Sequence, residues 1–585
     1  MTPGTTSVLS RRLPGLAVAR GYQRRWLSRD LTAGLALTGI LIPAGMAYAE
    51  ASGLPASSGL YATVVALLAY ALVGPSRFLV LGPDSSLVPL IVVAVAPFAA
   101  ASPAVAVGYA ATLALLVGAL IGLAGLARLG FITDLLSAPM RVGFLGGVSI
   151  IILATQLPRL FGITVTGDTV LERLRSLLDA VLAGDTNTVS LAIGLACIAV
   201  ILASRRWAPR IPGALVAVVG ATIVSSVLDL AARSGVVVVG PLPQGLPLPV
   251  VPSLAAGDIA MLLPAAFGIA LVTAADTIIL SRTFAARLGD DSDPDQELVA
   301  LGAANLAVSI FGGFPVSSSA SRTAVADDAG SRTQLTGVVG AAAVVALLVL
   351  APGLLATLPE ATLAAVVIVA AVGLADVGAF VRLWRLRPSE FAIALATFLG
   401  VVVLGVIQGI VLAVALALLA FLRRQWRPHD AVLGRAAGVK GYHDLTYYPD
   451  AKQIPGLVLY RFDAPLLFFN SDTFRGGVQE ALGAALPPVH WVIVAAEPIS
   501  DVDTTAADML ELLRTDLAAR GIVLAFAELK DPVKDQLRRY GTLARVGEEQ
   551  CFPTIGSAVA AYVTRNQVTW VDPESEPPTP ATPGT

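Results

Sequence analysis

Between residues 31 and 422 the sequence is a succession of apolar stretches, most of them close to the length that crosses a bilayer, and this leaves few folds open. A spanning helix takes roughly 17–25 apolar residues, and fewer where it breaks at mid-membrane. Such stretches lie at 31–49, 58–73, 86–98, 105–126, 138–157, 188–204, 213–229, 259–284, 297–312, 319–328, 334–351, 359–373, 389–404 and 406–422, about fourteen in all. Charged residues make up 14% of the chain and hydrophobic ones 56%, whereas a soluble domain carries about 25% charged residues. Lipid is therefore the expected solvent. The net charge of −2 gives no field that would draw nucleic acid.

An even number of spans puts both chain ends on one side. Arginine agrees: Arg77, Arg128, Arg205, Arg206, Arg210, Arg282, Arg287, Arg332, Arg382, Arg385, Arg387, Arg423 and Arg424 all follow even-numbered spans. Loops after odd-numbered spans are poor in arginine, and the exceptions (Arg159, Arg173, Arg175, Arg233) fall mostly in longer loops, where the rule weakens. Residues 1–29 carry Arg11, Arg12, Arg20, Arg24, Arg25 and Arg29 and lead into an apolar run without a small-residue cleavage site. They read as a basic cytosolic leader, not as a cleaved signal. The expectation is a multi-pass inner-membrane protein with both termini in the cytosol.

Two spans, the third and the tenth, are too short. Each follows a Gly/Pro break and opens on serines: Gly82-Pro83-Asp84-Ser85-Ser86, and Gly312-Gly313-Phe314-Pro315-Val316-Ser317-Ser318-Ser319-Ala320-Ser321. They stand seven spans apart, as two seven-span repeats would require, and paired broken helices at matching positions point to a transporter site. A broken helix offers unpaired N–H groups and partial positive charge at its N-terminus, a natural seat for an anion. Ser85 and Ser86 would line the seat from one side, and Ser317, Ser318, Ser319 and Ser321 from the other. Their hydroxyls can donate to an oxyanion without trapping it behind a fixed charge.

Arg322 follows directly, and a charge near the bilayer centre costs at least about 2.5–3.5 kcal/mol. It is expected to supply positive potential to the seat; a structural pairing with Asp327 or Asp328 is the alternative. Three acidic residues lie within or beside spans: Asp276 in the eighth, Glu50 at the end of the first, and Asp84 at the mouth of the third. Asp276 and Glu50 are candidates for a coupling ion, since carboxylates in membranes often carry protons or hold sodium. Asp276 could instead be held by a neighbouring hydroxyl or arginine. Any of the serines could simply be a helix cap.

From about residue 440 the character changes. Stretches 456–463, 466–470, 490–496 and 522–528 read as strands, alternating with helices at 472–484, 504–519, 531–541 and 554–566. This is the pattern of a small α/β domain at 440–567 behind a membrane domain at 30–425. Residues 568–585 are rich in Pro, Thr and Glu and read as a disordered tail. Cys197 and Cys551 fall in regions of different kind, so no disulfide is expected. The histidines (His429, His443, His490) all lie in the last third, and no metal-ligand spacing occurs. No phosphate-binding GxxxxGK[ST] loop is present, so direct ATP drive, an enzyme and a cofactor are not indicated.

The motifs resemble those of the SulP/SLC26 anion transporters almost end to end. The carriers of the resemblance are Arg29-Asp30-Leu31-Thr32-Ala33-Gly34, Ile42-Pro43-Ala44-Gly45-Met46-Ala47-Tyr48-Ala49, and Gly53-Leu54-Pro55 before Gly59-Leu60-Tyr61. Gln296-Glu297-Leu298 with Asn305, and Ser321-Arg322-Thr323-Ala324-Val325 before Thr333-Gln334-Leu335, add to it. The C-terminal part is similar to the STAS domain of that family, with Asp501-Val502-Asp503-Thr504-Thr505 at a strand-to-helix loop. Thr504 stands where related regulators can be phosphorylated; it is also an ordinary place for a helix cap.

The resemblance implies two inverted seven-span repeats, a core and a gate domain, a homodimer, elevator-like movement of the core, and an anion seated where Ser319, Ser321 and Arg322 match the family. Sulfate, bicarbonate, chloride and dicarboxylates are the implied substrates. Three departures stand out: Ala326 and Asp295 replace usual asparagines, and Asp84 replaces a small apolar residue. Sodium-coupled relatives add a hydroxyl one turn after the eighth-span aspartate. Leu280 holds that place here, which favours a proton as coupling ion. The readings carried forward are a proton-coupled importer or an exchanger, a sodium–bicarbonate symporter, an anion channel, and a membrane-anchored sensor whose STAS part meets a cytosolic partner.

Overall fold

The computed structural model describes residues 14–15, 21–99, 102–130, 138–165, 167, 169–208, 212–246, 249, 256–288 and 292–573. Arg11, Arg12, Arg20, Arg210 and the tail from 574 onward lie outside these residues. The chain divides into two compact units, Met1–Ala417 and Leu418–Thr585.

Every predicted span corresponds to a helix. In order, they are Leu27–Ala51, Ala56–Val73, Val88–Ala99, Pro103–Leu126, Ala138–Phe161, Thr188–Trp207, Gly213–Leu228, Ala256–Leu288, Pro294–Ile310, Ala320–Asp328, Leu335–Leu350, Glu360–Leu374, Pro388–Leu404 and Val406–Trp426. Among the described residues seven of these are long and apolar enough to cross a membrane alone, an eighth is so when Glu360–Leu374 is taken together with the chain on to Leu386, and four more are shorter but apolar. Capping explains several starts. Ser102 accepts from the N–H of Val105 with Pro103 in the first turn, Asn187 accepts from Ser190, and Asp293 accepts from Asp295 and Gln296 ahead of Pro294. A further helix, Val377–Leu386, carries Arg382 and Arg385 and buries none of its residues.

The packing follows the seven-span repeat. The first span packs on the eleventh as the eighth packs on the fourth, and the second packs on the eleventh as the ninth packs on the fourth. Spans one, two, four, eight, nine and eleven thus form one body, the core. The fifth packs against the twelfth and thirteenth, and the sixth against the seventh and twelfth, forming the gate. Lipid gives helices no hydrophobic drive toward each other, so close approach depends on small residues. The fourth and ninth spans show this: a Cβ added to Gly302 would stand 2.6 Å from the Gly122 Cα, and one on Gly118 would stand 2.8 Å from the Leu306 N. Gly302→Val is expected to force these spans apart at a cost of about 1–3 kcal/mol, read as a lower melting temperature in detergent. An unchanged melting temperature would show that the seam is slack.

Two two-residue strands interrupt the core, β1 (Leu81–Gly82) and β2 (Ser317–Ser318). They pair antiparallel, Leu81 opposite Ser318 and Gly82 opposite Ser317.

The second unit is a six-stranded sheet in the order β4-β3-β5-β6-β7-β8. Its strands are β3 (Asp430–Arg435), β4 (Tyr442–Asp444), β5 (Leu457–Phe462), β6 (Trp491–Ala495), β7 (Val523–Ala527) and β8 (Cys551–Phe552). β5 to β8 run parallel, while β3 is antiparallel to both its neighbours. Side chains alternate between two apolar clusters. Val458, Tyr460 and Val492 face helices Ser471–Ala484, Thr504–Ala519 and Asp531–Arg539 on one side, and Leu459 and Ile493 face helix Ile555–Asn566 on the other. The stretch 466–470 is not a strand. Only Leu466 makes a bridge, to Val502, and the Asn470 side chain folds the segment into a turn by accepting from the Leu467 N–H. Strands β3, β4 and β8 were not expected; β3 begins at Asp430, before the apparent change of character near 440. Cys197 and Cys551 are both free.

Candidate functional site

The short strands exist because the chain cannot leave N–H and C=O groups unpaired inside lipid. Where the third and tenth helices stop short, β1 and β2 satisfy each other, and the Ser319 N–H donates to the Val80 carbonyl at 3.1 Å. Side chains complete the pairing. The Val80 N–H donates to the Thr323 hydroxyl at 3.1 Å. Buried Asn305 holds Val316 from both sides, its amide donating to the carbonyl at 3.1 Å and its oxygen accepting from the N–H at 2.9 Å. The Gln334 amide donates to the Ser76 and Leu79 carbonyls at 2.9 Å each. Thr277 of the eighth span donates to the Ser318 hydroxyl at 3.0 Å.

From this ribbon the two helices depart with their N-termini toward one cavity of about 710 Å³. Ser85, Ser86, Ser318, Ser319 and Ser321 line it, as do Tyr48, Asp84 and Asp276. Asp84 does not turn its charge on the cavity unopposed: one carboxylate oxygen accepts from both the N–H and the hydroxyl of Ser86, at 3.0 and 2.8 Å. Ser319 occupies the cap position of the tenth helix without capping it; its hydroxyl lies 3.3 Å from that of Ser321. Ser317 is buried away from the cavity, and its hydroxyl has no partner among the described residues.

Arg322 sits behind the ribbon, not on the cavity wall, and is 2% exposed. One terminal nitrogen donates to the Pro83 carbonyl, while Nε and Nη2 have no partner. No ion pair to Asp327 or Asp328 occurs among the described residues, which removes the structural alternative. The guanidinium packs under Gly82, where an added Cβ would lie 3.6 Å from Nη2.

Asp276 reaches the cavity with no hydrogen bond to another described group, and Leu280 lines it one turn on. Glu50 is not brought there. It lines a separate cavity of about 330 Å³ with Arg159 and Glu360, because the side chain two residues past Tyr48 leaves the first helix in another direction. In the C-terminal unit, Asp503, not Thr504, caps the helix: its carboxylate accepts from Ala506 at 2.8 Å and from the Phe468 N–H at 2.7 Å. Thr504 is the exposed first helical residue.

The profile of the sulfate permease family matches residues 27–397, and that of the STAS domain matches residues 448–558. The chain belongs to the sulfate permease family. Among its relatives in this family, a probable sulfate transporter of Mycobacterium tuberculosis is 44% identical over 94% of this chain and 98% of its own length. Sulfate transporter 1.1 of Arabidopsis thaliana is 30% identical over 94% and 88%. Human solute carrier family 26 member 6 is 33% identical over 82% and 66%. The fold matches murine solute carrier 26 family member A9, an anion transporter solved in the inward-facing state, with a TM-score of 0.89 at 24% identity, over 96% of each chain. It also matches the transmembrane domain of the cyanobacterial bicarbonate transporter BicA, with a TM-score of 0.57 at 25% identity, over 68% of this chain and 98% of that one. This sulfate permease family member is therefore an anion transporter with a multi-pass membrane domain and a STAS domain, and not an enzyme.

Proposed function

We propose that the chain carries a small oxyanion of the sulfate type across the inner membrane, with the core moving as an elevator against the gate and a proton as coupling ion. The observation that supports this most is the β1–β2 ribbon, which holds two helix N-termini and their serine hydroxyls on one cavity. An oxyanion there meets donors that take no proton and hold no fixed charge, so binding stays weak enough for release. The cavity is lined by Ser204 in the last turn of the sixth span, by Pro212 at the start of the seventh and by Gly373 at the end of the twelfth. That is the face to which the arginine-rich loops belong, so the site opens to the cytosol, with both termini on the same side. A homodimer, as the family resemblance implies, is part of this reading, and Thr504 as a phosphorylation site belongs to it too, since it is exposed at a helix start.

Asp276 is the proton carrier in this reading, because it faces the cavity and Leu280 offers sodium no oxygen one turn on. At zero membrane potential a one-unit pH gradient stores about 1.4 kcal/mol per proton, enough for about ten-fold accumulation. Proteoliposomes loaded against such a gradient are expected to accumulate labelled sulfate, and Asp276→Asn to lose the accumulation while keeping sulfate–sulfate counterflow. Accumulation driven by sodium alone, or preserved in Asp276→Asn, would reject the proton carrier. Large unsaturable conductance would point to a channel, and binding without flux to a sensor.

A further inference from the structure

The serines and helix ends account for only the core wall of the cavity. That wall also carries two carboxylates, Asp84 and Asp276, which an anion would have to approach. Arg322 lies behind the ribbon. The cationic side chains on the cavity wall itself are Arg141 and Arg205, both on the gate. Arg141 stands in the first turn of the fifth span and Arg205 in the last turn of the sixth. Among the described residues neither makes a hydrogen bond or an ion pair with protein. Arg141 and Asp276 also share a narrow cleft of about 20 Å³ between the fifth, eighth and fourteenth spans. Both arginines lie at the cytosolic ends of their spans, Arg141 half-buried and facing Asp276, Arg205 exposed, and together they give the gate wall of the cavity the positive charge that an incoming anion would meet.

We propose that Arg141 and Arg205 form the gate-side half of the anion site, so that the substrate is held across the seam between core and gate and a doubly charged oxyanion is favoured over a singly charged one. The inference rests on the transport reading for its substrate. Planar guanidinium donors suit the paired oxygens of a tetrahedral oxyanion. The attraction of a fixed charge grows in proportion to the charge of the ion it meets. A guanidinium worth a given factor for a monoanion is therefore worth the square of that factor for a dianion.

The test is sulfate titration of the purified full-length protein, with uptake measured in parallel. Arg141→Gln is expected to weaken sulfate binding about ten-fold and competing bicarbonate about three-fold, in line with the two charges. Arg141→Lys keeps the charge and should retain most of the affinity. In uptake, the loss should fall on KM, with kcat changed less than about two-fold. Arg205→Gln should show the same pattern and decides the matter if the Arg141 variants do not fold. Unchanged sulfate affinity in the folded glutamine variants overturns the proposal, as does a loss for bicarbonate equal to that for sulfate. Sulfate binding without flux in the wild type would sink the transport reading and leave the gate-side site standing. Flux with unaltered binding in both glutamine variants would do the reverse, and no binding at all would sink both.

Discussion

Arg322→Ala is expected to weaken sulfate binding by up to about a thousand-fold while the protein still folds. The guanidinium is 2% exposed, and two of its three nitrogens find no acceptor. Its one hydrogen bond goes to a carbonyl, which does not neutralise it. A buried charge left in that state has an unsatisfied field, and the nearest open space is the cavity in front of the ribbon. At an effective dielectric of about 20, unit charges some 8 Å apart interact by about 2 kcal/mol, and a dianion doubles the figure. The fold should survive, because removing the side chain also removes an uncompensated charge, and the ribbon keeps its own pairing through Thr323, Asn305 and Gln334. The reading is a sulfate titration beside a melting curve. Unaltered affinity in a folded Arg322→Ala protein would take this residue out of the site.

Asp30→Ala should act on folding instead. Asp30 is fully buried at the start of the first span. One carboxylate oxygen accepts from the N–H groups of Arg332 and Thr333 at 2.7 and 3.1 Å, and the other from the Thr333 hydroxyl at 2.7 Å. The Thr336 and Tyr22 hydroxyls add longer bonds at 3.3 and 3.1 Å. The carboxylate thus closes the start of the eleventh helix from another part of the chain. Deleting it strands several buried donors at once, at a cost of about 3–5 kcal/mol. The expected outcome is a sharp fall in melting temperature and in membrane yield, with Asp30→Asn intermediate because an amide keeps one acceptor. A melting temperature within a degree or two of wild type would show that the network contributes little.

Hydropathy revealed the spans because lipid demands a long apolar run for each crossing, and the Gly/Pro breaks before Ser85 and Ser317 revealed where two of them stop. The direction of individual side chains was less legible. Arg322 is next to Ser321 in the chain but lies about 100° round the helix from it, so one faces the cavity and the other the ribbon. Twice that step separates Tyr48, on the cavity, from Glu50, in another one. Asn305 and Gln334 lay within recognisable motifs, yet nothing in their spacing says that they clamp strands far away in sequence. Arg205 carried no signal beyond the charge count of its loop, and Arg141, inside the predicted fifth span, was not singled out, because the seam they face joins spans from different repeats. In the second unit, β8 is two residues long and β4 three, too short for an alternating pattern.

Because β1 and β2 are joined by only two residue pairs, their alignment is set by the length of chain on either side. Adding or deleting one residue between Gly312 and Ser317 would turn each side chain of the second strand to the opposite face, exchanging the hydroxyl that Thr277 now holds for the one that points inward. Spacing in that bend therefore sets which hydroxyls the proposed anion seat would present, as firmly as does the identity of any single side chain.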